Sequence, residues 1–92
     1  MPLVLIETRR VVKEYVFTVD DLEHCVKGRI CKNIESDVYS WDISHYYRPS
    51  KNAATVYFPS KKSAPSLEET EFLLMAYARG FTNLDVKKNE NY

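Results

Sequence analysis

The chain has 92 residues, with 13 basic and 13 acidic side chains and so no formal net charge at pH 7. That length supports one domain with a modest core and leaves little room for a deep active-site cavity. The balance excludes a binder held to nucleic acid by overall positive charge, and equally a strongly acidic nucleic-acid mimic, while leaving room for local basic patches.

Leu3–Thr8 is a short apolar, β-rich run. Arg9 and Arg10 interrupt it, and Val11–Val19 resumes with β-branched and aromatic residues. No Gly or Asn marks a two-residue turn between them, so residues 3–19 read either as a hairpin with a looser turn or as one bent strand. A first helix is expected next. Thr18 or Asp20 would cap it, with Asp21 and Glu23 at its positive end; Leu22, Cys25, Val26 and Ile30 would form its apolar stripe, and it would stop near Asn33. Gly28 weakens the middle of that helix by about 1 kcal/mol relative to Ala.

Asp37–Tyr47 alternates as a half-buried strand, with Tyr39, Trp41, Ile43, His45 and Tyr47 on one face. Arg48–Asn52 reads as a turn and Ala53–Phe58 as a return strand, followed by a linker from Pro59 to Pro65. Ser66 with Glu69 makes a capping box for a helix running to Ala78, and Gly80 is expected as its left-handed C-terminal residue with Phe81 behind it. Asn83–Val86 could add a short strand. The expected fold is α+β: a mainly antiparallel sheet with two helices on one face, in the order β-β-α-β-β-α. Residues 1–86 form its single domain and 87–92 a polar tail. The core is expected from Leu5, Val16, Leu22, Val26, Ile30, Trp41, Ile43, Val56, Phe72 and Leu74.

The densest group of chemically capable side chains lies between Asp37 and Pro59. Neighbouring residues on a strand face opposite sides, so Tyr46 and Tyr47 cannot both enter a one-sided core. With Arg48 and Lys51 they form the expected main contact surface for a partner, since Tyr and Arg favour interface hot spots and can also stack on bases and hold phosphates. Lys27, Arg29 and Lys32 are the second candidate, with a structural explanation at a helix C-terminus; Arg9, Arg10 and Lys13 form a further basic cluster.

Cys25 and Cys31, six apart on the expected helix, would face different sides and remain free thiols. With His24 and His45 they show no zinc spacing, so no metal and no cofactor are expected. Ser44 and His45, as strand neighbours, are expected on opposite faces and unable to pair, which argues against a hydrolase. Two glycines allow no phosphate-binding Gly-rich loop, and no enzymatic activity is expected. No apolar run approaches about 18 residues, and Met1–Ile6 meets Glu7 too early for a secretion signal, so a cytoplasmic protein without membrane contact is expected.

The strand-to-helix run Tyr15-Val16-Phe17-Thr18-Val19-Asp20-Asp21-Leu22, the Tyr46-Tyr47-Arg48 loop and the short, motif-free α+β character resemble the phage-encoded inhibitors of bacterial defence, such as anti-CRISPR proteins. The resemblance implies a protein that acts in the host cytoplasm, binds a defence complex and blocks nucleic-acid recognition or cleavage. It carries over no individual functional residue. The expected function is therefore a non-enzymatic binding protein for a protein or ribonucleoprotein complex. The alternative is a small nucleic-acid-binding or regulatory module using the same hairpin loop.

Overall fold

A computed structural model describes residues 8–92. Its elements are β1 (Arg9–Phe17), β2 (Val26–Asn33), β3 (Tyr39–Ile43), β4 (His45–Tyr46), β5 (Ser63–Ala64), α1 (Leu67–Arg79) and β6 (Lys87–Lys88). Four strands form an antiparallel sheet in the order β1-β2-β3-β5, and β4 pairs with β6 in a separate two-stranded ribbon. The α+β class and the antiparallel pairing match the sequence reading. The two helices and the order β-β-α-β-β-α do not: the described residues hold one α-helix, and their order is β-β-β-β-β-α-β.

The expected first helix is β2. Val26, Gly28 and Ile30 are buried on one face, in strict alternation with exposed Lys27 and half-buried Arg29. The acidic pair read as a helix start belongs to the reversal between β1 and β2. There Asp21 takes φ 62°, a left-handed conformation that Asp tolerates, and Leu22 N–H donates to Val19 C=O. Arg9 and Arg10, read as an interruption, open β1. Val11 pairs with Cys31 and Lys13 with Ile30, so Val12 is an extra, bulged residue. Leu5 and most of the expected strand at 3–8 lie outside the described residues.

Helix α1 starts where the capping signal predicts. Ser66 Oγ accepts the Glu69 N–H at 3.2 Å, and Thr70 Oγ1 donates to Ser66 C=O at 2.8 Å. The helix buries Thr70, Leu74 and Tyr77 against the sheet. Leu74 sits directly over β2: a Cβ on Gly28 would lie 3.1 Å from Leu74 Cδ1 and 3.2 Å from Phe17 Cε2. Glu71 ties the helix to β1, accepting from Lys13 Nζ at 2.9 Å and from the Tyr15 hydroxyl. Burial and the Glu71 carboxylate push the Tyr15 phenol up to about 12.

Gly80 is not left-handed. Its φ is −87°, open to any residue; what it provides is space, since a Cβ there would come within 2.6 Å of the Tyr47 hydroxyl.

The buried cluster is Val26, Ile30, Trp41, Ile43, Tyr47, Leu74 and Tyr77, with Val56 also buried and Leu22 packed at its margin. Two expected core residues are outside it. Val16 is 66% exposed because it alternates with the inward Tyr15 and Phe17; Phe72 is 70% exposed because it stands on the side of the helix away from Thr70 and Leu74. Ala53–Phe58 is not a strand and makes one bridge, Tyr57 to Tyr47. The strand expected at 83–86 appears instead at 87–88. Residues 87–92, expected as a polar tail, are tied into the domain: Asn89 is buried, its Nδ2 donates to Ile43 C=O and its N–H to Ser44 C=O, each at 2.8 Å.

Leu74→Ala should remove a fully buried contact between helix and sheet and cost about 2–5 kcal/mol, read as a lower urea midpoint. Ser66→Ala should cost roughly 0.5–2 kcal/mol by leaving the Glu69 N–H without its cap. An unchanged midpoint for Leu74→Ala would show that α1 is not packed over Gly28.

Candidate functional site

The hairpin-loop group divides on folding. Tyr47 is 2% exposed and belongs to the core, which corrects its assignment to a contact surface. Its hydroxyl donates to Tyr77 C=O at 3.0 Å, its ring lies 4.5 Å from Phe81 and 4.8 Å from Tyr77, and burial raises its phenol pKa. The neighbour rule then decides Tyr46. It turns the other way, half-buried, with its ring meeting Phe58 edge-on at 4.9 Å.

Arg48 is held by the segment after α1. Its N–H donates to Leu84 C=O, its C=O accepts from Thr82 Oγ1 at 2.6 Å, and its Nε lies 3.3 Å from Asp85. Lys51 is exposed beside a depression of about 440 Å³ that Phe81 and Leu84 help to line.

The β2 cations also separate. Lys27 and Arg29 face away from α1, while Lys32 lies on the helix side, 3.7 Å from Asp37 and above the Tyr39 ring. On the open face Asp42 collects three cations: Lys62 at 2.9 Å, Arg29 at 3.7 Å and Arg9 at 3.8 Å. The Arg29 guanidinium also stacks on the Tyr92 ring at 4.3 Å. The helix-terminus explanation for these cations is corrected accordingly: Arg29 is part of an ion cluster joining β1, β2, β3 and the segment before β5.

Two exposed rings lie within the aromatic run at 37–59 but outside the named contact residues. Phe58 is 58% and Tyr57 45% exposed. Tyr57, bridged to Tyr47, packs toward Tyr77, at 5.0 Å, and Phe58 toward Tyr46. Tyr46, Phe58 and Lys87, the residue opposite Tyr46 across the β4–β6 ribbon, thus form one surface of ordered rings with a cation at its edge.

Ser44 and His45 do pair, contrary to the strand-alternation argument. Strand pairing is interrupted at Ser44, between β3 and β4, and Ser44 Oγ lies 2.8 Å from His45 Nδ1. This is not a presented nucleophile. Ser44 is 8% exposed, and its oxygen already accepts the Lys27 N–H at 2.7 Å. The His45 ring stacks on His24 at 4.5 Å, and Asp42 is occupied by its three cations. Cys25 is exposed and Cys31 buried; both are free thiols, placed on a loop and a strand and not on one helix. No helix among the described residues is long and apolar enough to cross a membrane.

No protein-family model, curated protein or solved structure matches the chain.

Burial, His24 and the facing Lys88 together lower the His45 pKa below its ordinary 6.5. The folded state therefore holds His45 neutral, and the unfolded chain takes up the proton first. That contribution to stability is present above about pH 6.5 and is lost as the pH falls through the folded value. Between pH 7.5 and 5.5 the wild type should lose more melting temperature than His45→Asn. Parallel curves for the two proteins would remove His45 from the pH response.

Proposed function

We propose that the chain is a small binding protein that performs no chemistry of its own and acts by engaging a protein or ribonucleoprotein complex. The observation that carries this reading is the ring pair Tyr46–Phe58. Phe58 is more than half exposed, yet it is fixed edge-on against a Tyr seated on the core. An aromatic anchor already held in place loses little side-chain freedom on binding, and Lys87 adds a charge at its rim.

The likeness to anti-CRISPR inhibitors extends the proposal. The partner would be a bacterial defence complex in the host cytoplasm, and the effect a block of nucleic-acid recognition or cleavage. That extension rests on the overall character of the sequence and carries over no functional residue. A second reading, direct contact with nucleic acid, draws on the sheet face away from α1, where Arg9, Arg29 and Lys62 gather at Asp42 and Lys27 stands exposed. Salt separates the two: affinity held by phosphate contacts falls steeply between about 50 and 200 mM salt, and affinity held by aromatic burial falls much less.

A pull-down from lysate followed by mass spectrometry supplies the partner for calorimetry. Phe58→Ala should weaken binding by more than about 1 kcal/mol and leave the melting temperature nearly unchanged. Tyr46→Ala should weaken binding by a similar amount. Wild-type affinity in both variants would place the contact elsewhere on the molecule.

A further inference from the structure

Segment 57–64 runs beside α1 and leaves a groove between them. It consists of two adjoining depressions, of about 460 and 150 Å³, that share Lys61 and Leu73. The larger lies where the helix stands beside β5, and Ala64, Glu68, Glu69 and Phe72 complete its lining. The smaller continues toward Tyr57, Pro59, Ala76 and Tyr77. Phe72, at 70% exposure the most exposed large apolar side chain among the described residues, and Tyr57, at 45%, both border this groove. Neither belongs to the Tyr46–Phe58 surface.

Three features specify what fits. β5 is the last strand of its sheet, so one of its edges has no strand neighbour among the described residues. A concavity between an edge strand and a helix is the geometry in which an added strand docks, with alternate side chains dropping into the cleft. The walls are apolar at Leu73, Ala64 and Phe72, which suits an aliphatic or aromatic side chain. The rim carries two exposed carboxylates, Glu68 and Glu69, against one cation, Lys61. The nearby Glu71 is engaged by Lys13 and Tyr15 and is not part of the lining.

We propose that the groove between β5 and α1 binds an extended segment of a partner protein, aligned along the free edge of β5, with an apolar side chain against Phe72 and Leu73 and an adjacent Arg or Lys at Glu68 and Glu69. The proposal goes beyond the reading above, because it assigns a second surface with different residues and a defined chemistry.

The test is selection of a displayed library of random heptapeptides against the full chain, followed by affinity measurement with the enriched peptides. The enriched sequences should pair an apolar residue with a neighbouring Arg or Lys. Phe72→Asp should weaken them by about tenfold or more, and the double variant Glu68→Gln/Glu69→Gln, which removes both charges without placing cations at the helix N-terminus, should also weaken them, with melting temperatures close to wild type. Amide resonances of Ser63 and Ala64 should shift on titration. Phe58→Ala should leave peptide affinity unchanged, which separates this site from the Tyr46–Phe58 surface. No enrichment over blank support, enriched peptides without a cation, affinity indifferent to Phe72→Asp, or a concentration-dependent dimer that Phe72→Asp abolishes would each overturn the proposal.

Discussion

Leu74 rests directly on the backbone of β2 at Gly28, and the arrangement of the domain depends on that contact. The described residues offer one α-helix to cover a four-stranded sheet. A helix held off by side chains at every inward position would leave gaps at its flanks. With no side chain at Gly28, the helix approaches closely and Leu74 is fully buried between Gly28 and the Phe17 ring. The ends of the sheet then require other cover. Trp41, Tyr47, Tyr57, Tyr77 and Phe81 supply it on one side, with ring centroids 4.5–6.3 Å apart. Two hydroxyls of this cluster donate to backbone: Tyr47 to Tyr77 C=O and Tyr77 to Tyr57 C=O. Rings that would otherwise have been available to a partner are consumed as core, which is why a chain rich in tyrosine presents so few of them whole.

The same Gly28 explains the largest departure from the sequence reading. Leu22, Cys25, Val26 and Ile30 do have helical spacing. The alternation that competes with it, Val26-Gly28-Ile30, is hidden because its middle member is a glycine, which registers as a break and not as an apolar residue. Burial on both faces adds to the confusion: Cys31 is buried on the face opposite Ile30. Adjacent buried residues, Ile30 and Cys31, interrupt the period-2 signature at that end of the strand. The second helix was legible because its signals are local. Ser66 and Glu69 set its start, and a run of good helix formers follows.

The candidate site was legible in part. The rule that adjacent strand residues face opposite ways identified one of Tyr46 and Tyr47 as outward, and it could not tell which. That choice is made by Gly80, whose missing Cβ leaves room for the Tyr47 hydroxyl, a contact between residues 33 positions apart. Phe58 was equally hidden, since its partner Tyr46 is chosen by folding. The Ser44–His45 pair failed for a different reason: strand alternation was extended through a position where the strand ends. Asp42 is a third case. Its charge is evident in the sequence, but the convergence of Arg9, Arg29 and Lys62 on it depends on the pairing of three separate chain segments.

Trp41 is the chain's one tryptophan, and it is 2% exposed. Its indole N–H donates to Lys61 C=O at 3.1 Å, its backbone N–H donates to Lys62 C=O, and its ring lies 5.7 Å from Tyr77. It therefore touches β3, the segment leading to β5, and α1 at once. Light absorbed by the surrounding phenols can pass to this indole, which presents only its 2% exposed margin to a dissolved quencher while those three pieces stay together. The protein thus carries an internal optical reporter whose emission follows the joining of helix, sheet and connecting segment, without any label added to its surface.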